Sequence, residues 1–171
     1  VKFVLGGMLV IAAVAGAALY YLQVYAFYQE VVDVDASSVQ VTTIMQNAPE
    51  PILYDNFKAI DADSSPLRYR ACFSTQQSIS MMTETYVMID KAEPRVAPNW
   101  FDCFDADTIG QGIESGDAIV FMGTQNIQYG IDRVVAIFDD GRGYAWHQIN
   151  ECGEVVFDGR RAPENCPTPP E

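Results

Sequence analysis

Residues 133–149 read RVVAIF, then DDGRG, then YAWHQI. Arg133–Phe138 and Tyr144–Ile149 are rich in β-branched and aromatic residues, and the Asp and Gly residues gather between them. Two such runs about a glycine-containing turn predict a β-hairpin. An antiparallel hairpin this apolar needs further strands and a second layer to bury its faces.

Outward from the hairpin, the flanking segments supply them. Asp117–Gly123 (DAIVFMG) reads as an apolar strand. Asp102–Ser115 reads as a helix, with Phe104, Ile109 and Ile113 apolar and Gly116 as its stop. Leu67–Ser74 alternates, with Leu67, Tyr69, Ala71 and Phe73 on one face and Arg68, Arg70 and Cys72 on the other. Val39–Met45 is a β-branched strand ended by Asn47-Ala48-Pro49-Glu50-Pro51, and Leu53–Ala62 alternates loosely. Thr75–Thr83 is a short helix or a connection, Ala92–Asn99 a loop with two prolines, and Tyr86–Ile89 and Val155–Phe157 are two more strands. The expected fold is α+β: one N-terminal transmembrane helix, then a mostly antiparallel β-sheet domain with one or two helices. The boundaries fall at 1–29 for the helix, 30–38 for a neck, 39–161 for the domain and 162–171 for a proline-rich tail.

The transmembrane reading rests on Phe3–Gln29, which holds no charged residue. Such a helix rises roughly 40 Å, enough to cross a hydrocarbon core of about 30 Å with some tilt. Tyr20, Tyr21, Tyr25 and Tyr28 gather at its outer end as an interfacial aromatic belt. Ala12/Gly16 and Ala13/Ala17 are small residues four apart, a spacing that lets another membrane helix pack closely. A cleavable signal peptide would use Ala13-Val14-Ala15 or Ala15-Gly16-Ala17, yet the apolar run continues to Tyr28, so an uncleaved anchor is expected. Lys2 precedes the span and acidic residues follow it. The expected topology is single-pass, with the N-terminus inside and the C-terminal domain outside.

The whole chain has 10 Lys+Arg and 23 Asp+Glu, a net charge of −13. Since Lys2 is the only charge before Glu30, the remainder carries −14. That field repels nucleic acid and attracts basic partners, a basic cytochrome c among them. Cys72, Cys103, Cys152 and Cys166 lie on the outer side, where an even count reads as two disulfides. Three pairings are open, and Cys72–Cys103 with Cys152–Cys166 joins nearest neighbours in sequence.

Little points to catalysis. His147 is the sole histidine, placed in a strand beside Trp146, and reads as either an exposed or a satisfied structural residue. Asp61-x-Asp63-x-Ser65 and Asp105-x-Asp107 resemble the start of calcium loops. Each lacks the glutamate at the twelfth place, so turns or helix caps are expected instead. No phosphate loop, dinucleotide fingerprint or nucleophile elbow occurs. No enzyme activity, cofactor or metal is expected.

The span, the acidic outer domain and the four cysteines together resemble uncharacterised alphaproteobacterial single-span inner-membrane proteins with an acidic periplasmic domain. The resemblance implies location and layout and carries over no site residue. The expected function is a non-catalytic accessory or assembly subunit of an integral membrane complex, around cytochrome c oxidase or the bc1 complex. The span would pack in the bilayer and the acidic domain would hold or steer cytochrome c. The alternative is a membrane-anchored periplasmic sensor or ligand-binding module.

Overall fold

The computed structural model describes residues 2–32, 34–35 and 37–169. The hairpin is its centre. Strands β7 (Ile131–Phe138) and β8 (Arg142–Ile149) pair antiparallel from Ile131↔Ile149 to Ile137↔Gly143. The turn between them is three residues, Asp139–Gly141. Gly141 has φ +87°, the left-handed conformation a short hairpin of this kind requires at its last position. Asp140 accepts the backbone N–H of Arg142 at 3.0 Å and steadies the turn.

Around the hairpin the sheet grows to six strands in the order β1-β4-β5-β8-β7-β6. β6 (Ala118–Gln128) flanks β7, and on the other side β5 (Arg70–Ser74), β4 (Asp55–Asp61) and β1 (Gln29–Glu30) follow β8. Each pairing is antiparallel. A two-stranded sheet of β2 (Gln40–Thr42) and β3 (Pro49–Pro51) lies apart. The helices are α1 (Lys2–Tyr21), α2 (Ile79–Thr85), α3 (Ala106–Ser115) and α4 (Glu151–Phe157).

Both faces of the large sheet are covered, so its central strands are apolar at successive positions instead of alternating. Ala71, Phe73, Val135, Ile137 and Ala145 face one core with Val41, Ile52, Met82 and Tyr86. Cys72, Val134, Ala136, Tyr144 and Trp146 face the other, under Phe101, Phe104 and Ile109. The β2–β3 pair and α2 thus cover one side, and α3 with the segment before it covers the other. The Cys72–Cys103 disulfide bolts that segment to β5. A second disulfide, Cys152–Cys166, ties the tail to α4.

α3 is capped as its sequence requires. Asp105 accepts the N–H groups of Asp107 and Thr108, and Gly116 closes the other end. The Asp105 cluster is therefore a helix cap. Asp61 accepts the N–H of Ala62 at 2.8 Å, and Ser65 caps a short 3-10 turn over Pro66–Arg68.

Several elements differ from the sequence expectations. Val155–Phe157 is the end of helix α4, whose start is set by Asn150 accepting the N–H of Gly153 at 3.0 Å. Pro49–Pro51 is a strand, since prolines lacking N–H groups are tolerated in a small peripheral pair. Leu67 leaves the sheet for the 3-10 turn. Tyr86 and Met88 make single bridges, to Thr43 and Phe121, in place of a continuous strand. The overall class is α+β as expected, with three α-helices beyond the first among the described residues.

Gly143 shows how tightly the first core is filled. A Cβ there would lie 2.2 Å from the Phe73 ring. Gly143→Ala should lower the stability of the full chain by about 1–3 kcal/mol, as overpacking does. Chemical denaturation in detergent checks this; an unchanged midpoint would mean that Phe73 swings aside without cost.

Candidate functional site

Among the described residues two sites are built from positions far apart in sequence: a collar where the end of the N-terminal helix meets the domain, and an acidic cleft.

The collar begins where α1 runs into a π-helical turn, Leu22–Ala26. The last carbonyls of a helix have no partner within it. Here the indole N–H of Trp100 donates to the Val24 carbonyl at 2.7 Å. Arg68 donates from Nη2 to Gln23 Oε1 at 2.7 Å. Its guanidinium lies 5.3 Å from the Tyr28 ring centroid and 6.0 Å from that of Phe27. A cation at a helix C-terminus also meets the negative end of the helix dipole. Tyr28 packs edge-on against Trp100, with ring centroids 6.1 Å apart. Gln29 and Glu30 then pair at once with Asp61 and Ile60 of β4. The helix passes into the sheet with no slack between them, and the first residue of the expected neck, Glu30, is already in a strand.

Behind the collar stands Arg70, buried at 3 % exposure. Its guanidinium donates to four carbonyls: Leu67 and Tyr69 on its own strand's approach, and Arg95 and Val96 on the loop leading to Trp100. Burial pushes its pKa down to about 10, which leaves it charged at neutral pH. One cation thereby fixes both parts that grip α1.

His147 completes this end of the sheet. Its Nδ1 lies 2.6 Å from the Pro66 carbonyl, and Arg133 donates to its Nε2 at 3.0 Å. One nitrogen donates and the other accepts, so the ring is neutral. Tyr69 stacks on the imidazole at 4.8 Å, and the Arg133 guanidinium sits 3.9 Å from the Tyr69 centroid. Burial, then the charges of Arg133 and Arg70, push the His147 pKa down to about 4. Held between the Pro66 carbonyl and Arg133, this imidazole ties the 3-10 turn to β7.

The cleft lies where the loop Ile89–Arg95 faces the start of β7, the end of β8 and α4. It encloses about 550 Å³. Ile89, Met122 and Ile149 give it an apolar part, while among its charged lining residues Asp90, Glu93, Asp132, Glu151 and Glu154 outnumber Lys91 and Arg95. Asp132 is buried and fixed: it accepts the N–H of Asn126 at 2.8 Å and the Asn150 amide at 2.7 Å. Such a lining suits a small organic cation. Among the described residues no group of three His, Cys, Asp or Glu is placed to hold a metal ion.

The residues singled out from sequence fall in three places. Cys72, Cys103, Cys152 and Cys166 form the two nearest-neighbour disulfides. Tyr28 belongs to the collar, while Tyr20 and Tyr21 pack on Tyr25. Ala12, Ala13, Gly16 and Ala17 lie on α1, which buries none of its residues against the domain. Arg68, Arg70 and the cleft residues were not foreseen. One signal was available: Arg70 shares a strand face with Cys72, and a cysteine expected in a disulfide implies that this face is covered.

A family of unknown function, DUF6446, matches residues 39–167. The chain belongs to that family. The DUF6446 match opens at Val39, the first buried residue of the sheet domain, and closes just beyond Cys166, so it takes in both disulfides and the cleft. No curated protein and no solved structure matches the chain.

The His147 site predicts an acid dependence. Above pH 6.5 the ring is neutral folded and unfolded. As pH falls from 6.5 toward about 4 the unfolded chain takes up the proton first, so stability is lost in that window. The loss is on the order of 3 kcal/mol at most. His147→Gln keeps a donor and an acceptor without the proton, and its unfolding midpoint should fall less over this range than that of the wild type. Parallel slopes would remove His147 as the cause.

Proposed function

We propose that this chain is a non-catalytic accessory or assembly subunit of a bacterial inner-membrane respiratory complex, cytochrome c oxidase or a bc1 supercomplex. α1 is its single membrane anchor, with the N-terminus cytoplasmic and the disulfide-bonded domain periplasmic. The observation that carries this reading is the collar. α1 is long and apolar enough to cross a bilayer and buries none of its span inside the chain. Yet the π-helical turn that follows it is clamped to the domain by Trp100, Arg68 and β1. An anchor that only restrains diffusion needs no such clamp. A subunit that must present one face of its domain to a neighbour does.

The respiratory assignment rests on charge. A domain of −14 over a membrane surface would raise the local concentration of a basic cytochrome c, and the effect would weaken as salt rises. The acidic, partly apolar cleft favours the second reading, a membrane-anchored module that binds a cationic ligand.

Purification of the tagged full chain at native expression in mild detergent separates the two. The subunit reading expects stoichiometric haem-protein subunits, and a cytochrome c turnover whose salt dependence flattens when the chain is deleted. Recovery of the chain alone would overturn it. Thermal stabilisation by a polyamine, absent in Asp132→Asn, would then support the module.

A further inference from the structure

We infer that the loop Val96–Trp100 rests in the headgroup layer of the membrane, as a second lipid contact beside α1. The inference relies on α1 being the membrane anchor proposed above.

Depth is the argument. The Trp100 indole donates to the carbonyl of Val24, so its ring lies at the level of the last helical turn. Tyr21 and Tyr25 flank Val24 in sequence. At about 1.5 Å per residue they are within roughly 5 Å of it along the axis. Tyrosines at the end of a span mark the interface between hydrocarbon and water, and tryptophan shares that preference. Trp100 therefore extends the aromatic belt of α1 from a residue 76 positions away in the chain.

Composition and exposure agree. Val96-Ala97-Pro98-Asn99-Trp100 holds no charge, in a chain with 23 acidic and 10 basic residues. Val96 is 77 % exposed, although the loop carrying it is fixed: Arg70 holds the carbonyls of Arg95 and Val96 at 2.8 and 3.2 Å. A rigid, uncharged loop that presents an exposed valine, and whose Trp100 reaches the Val24 carbonyl at the end of an apolar helix, matches the lipid interface. The carbonyl that Trp100 caps would also be costly to leave bare near hydrocarbon.

The chain has two tryptophans, and Trp146 is fully buried in the sheet core, so Trp100 can be read by difference. The full chain is reconstituted into phosphatidylcholine–phosphatidylglycerol vesicles whose acyl chains are brominated either near the headgroup or near the chain end. Shallow bromines should quench the wild-type emission more than deep ones, and Trp100→Phe should lose that quenching. Val96→Asp, at an exposed position that leaves the fold intact, should reduce it by lifting the loop. Equal, weak quenching in wild type and Trp100→Phe would overturn the inference, as would stronger quenching by deep bromines. Alkaline carbonate extraction of the same vesicles tells the two readings apart. A chain that stays in the vesicle pellet without Trp100 quenching keeps its anchor and loses the loop contact. A chain released to the supernatant loses both.

Discussion

Among the described residues no carboxylate forms an ion pair with the buried guanidinium of Arg70, and the arrangement at the helix end depends on this group. A charge this deep is costly unless its guanidinium finds acceptors on all sides. Arg70 meets that demand with four main-chain carbonyls drawn from two separate segments. Aromatic packing adds to it, since the Phe104 ring lies 5.7 Å from the guanidinium. The consequence is local order in irregular backbone: the Pro66–Arg68 turn and the Arg95–Val96 loop have few ladder bonds of their own and are held by one side chain. Those two segments carry Arg68 and Trp100, which grip α1.

The sheet is arranged to leave little edge open. At one side two residues of β1 cover the end of β4. At the other, β6 is met by Met88 through a single bridge at Phe121, and Thr42 donates its hydroxyl to the Gly123 carbonyl at 2.8 Å. Short or interrupted pairing of this kind blunts the edges that would otherwise recruit another chain. The same economy explains the small β2–β3 pair, whose value lies in covering the core around Met82 and Tyr86 more than in its own hydrogen bonds.

What could be read in the sequence was whatever local chemistry decides. The hairpin at 133–149, the apolar helix, the Asp105 cap and the Gly116 stop all announce themselves within a few residues. What could not be read depends on contacts between distant parts. Val155-Val156-Phe157 has strand propensity, but Asn150 caps a helix there and Gly153 packs so closely on Gly130 that a Cβ would lie 2.3 Å from its carbonyl oxygen. The partners of the collar are 45 and 76 residues apart in the chain, beyond any periodicity argument. The cleft is likewise assembled from a loop, two strand ends and a helix. Its acidic residues are indistinguishable in sequence from the surface charge of so acidic a chain.

The π-helical turn at Leu22–Ala26 has a geometric consequence. Because the collar leaves no free residue between helix and sheet, the azimuth of α1 about its own axis is geared to the azimuth of the domain. Each residue of a helix advances its faces by about 100°. One residue added or removed between Tyr21 and Gln29 would therefore swing the domain by more than a quarter turn relative to the Ala12/Gly16 face, with every contact inside the domain intact. Spacing in this short stretch, more than the identity of any side chain in it, sets which surface of the domain accompanies which side of the helix.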